Sequence, residues 1–322
     1  MRNLIGFSWL ILMVVLFWAH PSVADCQQFL SHRAGFSINV NQIENPYEIM
    51  TVFALPNESL KIEVKKKDAA NEYRLYSPEG KIIPTASFNW DWRVPAQPGH
   101  YLLKIANADH QHTMSLNVFV MVPFDRIKGE HLNGFQIGKY PQIALKRLAI
   151  YNPPRGFVEV TPQNEDTFIS PHFKLKQFVC KQSGGYPKYL VLKEKLLLKL
   201  ELILQKVNEK GYRCDSFHIM SGYRTPYYNN AIGNVKYSRH IYGGAVDIFI
   251  DENPKNDMMD DLNQDGKIDY RDAAVIYRII DELYGKKFYD PFLGGLARYK
   301  KTNNHGPFVH IDVRGRRARW GY

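Results

Sequence analysis

The chain has 322 residues, 45% of them hydrophobic and 13% aromatic, enough to bury more than one core, so two domains are the natural division. Its net charge of +10 is spread along the sequence rather than gathered into one run, which argues against a nucleic-acid patch. Three cysteines are an odd set: Cys180 and Cys214 are available to pair in an oxidising compartment, and Cys26 is then left free.

The first residues have the layout of a secretory leader. Arg2 precedes an apolar run from Leu4 to Ala19, and Ser22-Val23-Ala24 ends in small residues where a signal peptidase cuts, so 1–24 is expected to be removed. An uncleaved anchor is the bland alternative, and the run is short for a spanning helix. Export makes the protein periplasmic or secreted, and makes an anionic cell-wall polymer or membrane surface the partner for its positive charge.

From about Gly35 to Val122 the pattern is that of short strands (FSINV, TVFAL, LKIEV, YRLY, ASFNWDW, YLLKIAN, SLNVFVMV) separated by Asn, Pro, Gly and Asp. In the last run Leu116, Val118, Val120 and Val122 alternate with Ser115 and Asn117, giving one buried face. About seven such strands predict a small Ig-like β-sandwich over 25–122. Trp90 and Trp92, two apart, fall on one face and read as core, with a glycan-stacking platform as the alternative. This domain is expected to position the rest of the chain or touch a wall or protein partner. Residues 123–165 form a Pro/Gly/Asn-rich connector holding one short strand, FVEVT.

Ser170-Pro171-His172-Phe173 has the form of a helix start, and His172 beside that proline reads as structural rather than metal-binding. Val191 to Lys210 is amphipathic, with Leu192, Leu196, Leu200, Ile203 and Val207 on one stripe and Gly211 as the stop. FHIMSG is a strand that runs into Arg224, and VDIFI is a strand that carries Asp247. His240 lies seven residues before Asp247, across a turn containing Gly243 and Gly244. A His and an Asp brought together in this way supply two of the three protein ligands of a catalytic zinc site, and His310 in the strand GPFVHIDV is the candidate third. Asp312 shares a strand face with His310, which makes it a supporting or base candidate. A guanidinium at Arg224 matches a carboxylate in shape and charge.

The pattern Ser238-x-His240-x-x-Gly243-x-Ala245-x-Asp247, closed by His310-x-Asp312, resembles the zinc D-Ala-D-Ala carboxypeptidases. These share a fold group with lysostaphin-type endopeptidases and the hedgehog signalling domain. The resemblance covers about 166–322 and implies an α+β zinc peptidase domain with ligands His240, Asp247 and His310. It also implies that Arg224, sixteen residues before the first ligand, holds the substrate's terminal carboxylate, and that His305, five before the last, assists the chemistry. The implied substrate is a cell-wall peptide ending in, or cross-linked through, D-Ala. One departure stands: several relatives place a Glu base three residues before the last ligand, and here that residue is Pro307. His305, Asp312 or the metal alone must then activate water. A cross-link-cutting D,D-endopeptidase and a non-catalytic wall-binding protein with a degenerate site are the rival expectations.

A second metal motif follows. Asp261, Asn263, Asp265, Gly266, Ile268, Asp269 and Asp272 match an EF-hand calcium loop at positions 1, 3, 5, 6, 8, 9 and 12, with Lys267 offering its carbonyl. Position 12 is Asp rather than Glu. AAVIYRIIDELYG reads as the exiting helix, and calcium there is expected to brace the peptidase domain.

Overall fold

The computed structural model describes residues 29–65 and 72–321. It is a mixed α+β structure with many strands and few helices. The leader reading of 1–24, and Cys26, lie outside the described residues. No helix among the described residues is long and apolar enough to cross a membrane.

Among the described residues the first part contains nine strands: β1 (Arg33–Val40), β2 (Ile43–Tyr47), β3 (Ile49–Ala54), β4 (Ser59–Lys65), β5 (Tyr73–Tyr76), β6 (Lys81–Ala86), β7 (Asn89–Arg93), β8 (Gly99–Asn107) and β9 (Thr113–Val120). They form a five-stranded sheet in the order β2-β1-β4-β7-β6 and a four-stranded sheet in the order β3-β9-β8-β5. Alternating residues of both, among them Phe36, Ile38, Ile62 and Trp92 from the first and Val52, Leu103, Leu116 and Val118 from the second, make one buried cluster. Trp90 and Trp92 are inside that cluster, so neither is a sugar platform. The sequence pattern did not show β2 and β6. Both contain a proline (Pro46, Pro84), which weakens a strand signal, and both are sheet edges, where a missing N–H is tolerated.

The β-rich part is tied to the rest through buried polar contacts. The Thr51 hydroxyl donates to the Ile169 carbonyl at 2.7 Å, the Asn117 amide to Phe168 O at 3.0 Å, and Phe53 N to the Glu194 carboxylate at 3.2 Å. Residues of 123–165 (Leu132, Phe135, Ile137, Tyr140, Phe157) belong to the same hydrophobic cluster as the later segments, so this connector has its own place in a core. The expected strand there is β10 (Gly156–Val160), paired with β12 (Lys188–Leu190).

The helix start at Ser170 is a correction. Phe168–Ser170 is a strand, β11, which turns at Pro171-His172 and pairs back on Phe173-Lys174. His172 is held by Glu201: its backbone N–H and ring Nδ1 meet the two carboxylate oxygens at 3.0 and 2.6 Å. It is a structural residue. Helix α1 (Glu194–Glu209) follows the expected stripe and ends just before Gly211, at φ +86°. Cys180 and Cys214 are both buried free thiols, so the pairing open to them does not form.

The second part is built on a five-stranded sheet of β13 (His218–Ser221), β14 (Ala245–Phe249), β16 (Phe308–Asp312), β15 (Gly295–Tyr299) and β17 (Ala318–Gly321), in that order. All pairs are antiparallel except β15 with β17. α1 and α3 (Tyr270–Asp281) cover its back, where Val246, Ile248, Val309 and Ile311 are fully buried or nearly so. α2 (Pro226–Ala231) starts at Thr225, whose hydroxyl caps Tyr228 N.

Candidate metal centre

Strand register brings the predicted residues together. In β14 and β16 Asp247 is the direct partner of His310, and Ser221 of β13 faces Asp247 from the other side. Directly opposed residues stand about 5 Å apart at Cβ, so their side chains reach one point. His240 enters from the short helical turn Arg239–Tyr242, which closes on Gly243 at φ +63°. A Cβ on Gly243 would lie 2.3 Å from the Val191 carbonyl oxygen, so only glycine lets this turn pack there.

Each ring nitrogen has a defined role. His240 Nδ1 donates to the Gly222 carbonyl at 2.7 Å, which leaves the Nε2 lone pair free. His310 Nε2 faces Asp312 Oδ2 at 3.4 Å and its Nδ1 faces Asp247 Oδ1 at 2.8 Å. His240 Nε2, His310 Nδ1 and Asp247 Oδ1 then stand 3.3, 3.3 and 2.8 Å from one another. The edge of a tetrahedral site with bonds of 2.0–2.1 Å is about 3.3 Å, which two of the three separations match, and the three residues, all lining the cleft, would hold a zinc ion. All three residues are buried.

The surroundings hold these ligands in charge and orientation. Burial opposes ionisation of Asp247, but His240 and His310 outweigh it and hold the carboxyl well below its ordinary range. Burial lowers the His240 pKa, favouring the neutral ring a metal requires. Arg224 donates from Nη2 to Asp247 Oδ2 at 2.7 Å and from Nε to Ser221 Oγ at 2.8 Å. It therefore orients a ligand as well as facing the cleft.

Asp312 is fully buried, accepts the Gly295 N–H at 2.8 Å and is clamped by Arg314 Nε and Nη2 at 2.9 and 2.5 Å. The base role open to it is corrected: it does not line the cleft and cannot take a proton there, and it supports His310 from behind. His305 does line the cleft. Its Nδ1 donates to Gly306 O at 2.8 Å, so Nε2 carries the lone pair.

The cleft encloses about 1170 Å³. Its wall carries Lys181, Arg224, Lys236, Arg239 and Arg314 against one carboxylate, Asp247, which is committed to the centre. Tyr151, Tyr237, Tyr299 and Trp320 supply its aromatic surface.

Sequence reasoning missed several parts. Arg239 is buried between the rings of Tyr151 and Tyr242, 4.9 and 5.3 Å away, and donates to Ile150 O at 2.6 Å. Lys199 is fully buried and donates to the Asp312 carbonyl at 2.8 Å. Its signal was present: it lies three after Leu196 and four before Ile203, on the apolar stripe of α1.

The calcium-loop residues do not form such a cluster. Asp261 accepts Asp265 N and Gly266 N at 3.2 and 2.7 Å, Asn263 accepts Asp265 N at 2.9 Å, and Asp265 takes Lys267 N and Arg271 Nη1. Asp269 accepts Arg271 N as the cap of α3. Asp272 is fully buried and receives Leu262, Asn263 and Asp269 N–H. Among the described residues, the convergent sets of metal-ligand type are His240/Asp247/His310 and His218/Asp251/Asp257.

A buried His/Asp/His cluster beside a cationic cleft is an arrangement that could hold a catalytic metal ion. Residues 171–274 match the family model of peptidase M15, a stretch that contains Arg224, His240 and Asp247. That stretch, about a third of the chain, is similar to this family, which is that of the zinc D-Ala-D-Ala carboxypeptidases. No curated protein matches the chain.

Proposed function

We propose that this is an exported D,D-peptidase that hydrolyses D-Ala-containing peptides of peptidoglycan, its β-rich part forming a sandwich module that touches wall or protein. The observation that carries the peptidase reading is the convergence of His240 Nε2, Asp247 Oδ1 and His310 Nδ1, with the His240 tautomer fixed by the Gly222 carbonyl. The basic cleft wall supports a substrate bearing carboxylates.

Zinc, when bound, polarises the scissile carbonyl and lowers the pKa of water. His305 Nε2 accepts the proton of the attacking water and returns it to the leaving amine. The cleft lysines, Lys181 and Lys236, bind and orient the peptide carboxylates. Arg224 Nη1 has no protein partner among the described residues and is the nitrogen left for a terminal carboxylate.

The endopeptidase reading has one observation in its favour: two of the three Arg224 nitrogens are already committed to Asp247 and Ser221. Product masses from defined muropeptides separate the two. Release of free D-Ala supports the carboxypeptidase, and conversion of cross-linked dimers to monomers supports the endopeptidase. Failure of both substrates, with zinc bound, would remove the peptidoglycan reading. Calcium at 261–272 is proposed on the seven-position motif alone, as a brace for α3. Export is proposed on the leader pattern, and the mass of the secreted chain tests it.

A further inference from the structure

β14 leads into a second cluster of ligand type. Asp251 lies four residues past Asp247, about 13 Å along an extended chain, too far to share an ion with it. Its two carboxylate oxygens accept Asn256 N and Asp257 N, each at 2.9 Å, which folds the segment back toward β13. Asp257 arrives there beside His218. The His218 ring is stacked face to face on Phe249, its partner in the β13–β14 register, at 4.3 Å and 11°.

His218 Nδ1 is 3.6 Å from Asp251 Oδ2 and 3.5 Å from Asp257 Oδ1. These separations exceed the 2.7–3.2 Å of an N–H···O hydrogen bond. They approach the edge of about 3.3 Å between two ligands of a tetrahedral zinc ion. The ligand atoms of all three residues lie within 4.8 Å of one another, as those of His240, Asp247 and His310 do.

We propose that His218, Asp251 and Asp257 form a second zinc site, separate from the catalytic centre. One imidazole with two carboxylates suits zinc better than calcium or magnesium, which take oxygen ligands. Asp251 is nearly buried, whereas the Asp257 side chain is 89% exposed. Water completes the coordination on that open side, and the ion exchanges with solvent more readily than the one in the cleft. Bound there, it clips the 251–257 segment onto β13, the edge strand beside Asp247.

Equilibrium dialysis of the whole protein against micromolar free zinc, in excess calcium to fill any calcium loop, counts the sites. Two zinc ions per chain are expected for the wild type, one for Asp257→Asn, and one for His310→Ala. The His218→Gln variant repeats the first loss from another ligand. A zinc count unchanged from the wild type in both Asp257→Asn and His218→Gln overturns the proposal. Loss of only the tighter zinc in His310→Ala bears on the catalytic reading and leaves this site standing.

Discussion

Two acidic stretches lie close together on this chain and are handled in opposite ways. Asp247, with His240 and His310, keeps one ligand atom of each residue turned to a common point, because Gly222, Asp312 and Arg224 occupy the other atoms. In 261–272 the carboxylates spend their oxygens on the loop's own amides and on Arg271. The contrast lies in what stands behind the side chains: a rigid sheet with partners that leave one atom of each residue turned to a common point, against a loop that caps its own amides.

The most severe way to break that comparison is to remove a ligand. His310→Ala should lose cleft zinc and all hydrolysis while the sheet remains, as zinc analysis and circular dichroism would show; full activity in this variant would reject the centre. His305→Ala should lower kcat by about 10²- to 10⁴-fold with zinc retained. Loss of zinc there would make His305 a ligand. Asp312→Asn should weaken zinc affinity by about 10- to 100-fold through His310, as a competition titration would measure. An unchanged affinity would mean that the clamp behind His310 is ornamental.

Lys199 sharpens the comparison through pH. Burial holds its ammonium down to about 7 from an ordinary 10.5. Between those values the unfolded chain binds more protons than the folded one, so this group's contribution to stability rises with pH; below 7 both states are protonated and the burial cost is carried in full. The Tm of Lys199→Met relative to the wild type should therefore be highest near pH 6 and fall toward pH 10. A difference that does not move with pH contradicts the assignment. The smallest effect belongs to the loop: calcium should raise the Tm of the wild type by a few degrees and leave Asp261→Ala/Asp265→Ala unmoved.

The ligand triad was legible because it sits on regular elements. VDIFI and FVHID are apolar runs whose two-residue period fixes the faces, and the tight turn before Asp247 announces itself in two glycines. Where proline entered an edge strand, at Pro46 and Pro84, the period faded and the strands were missed. Ser170-Pro171 carried a helix-start signal that the hairpin overrode, since Ile169 and Ser170 are buried beside the β-rich part and Glu201 anchors His172. Asp312 illustrates a further limit. Its strand face was readable, but its burial under Arg314 and Gly295 depends on partners that no local pattern announces. Lys199 is the same case in reverse: a lysine on an apolar stripe is visible, but the carbonyl it serves lies 113 residues away.

The most direct test of the central claim is anomalous diffraction at the zinc edge from crystals of the protein. The account predicts a peak within about 2.0–2.2 Å of His240 Nε2, Asp247 Oδ1 and His310 Nδ1 together. Crystals grown with zinc that show no density between these three atoms would contradict it.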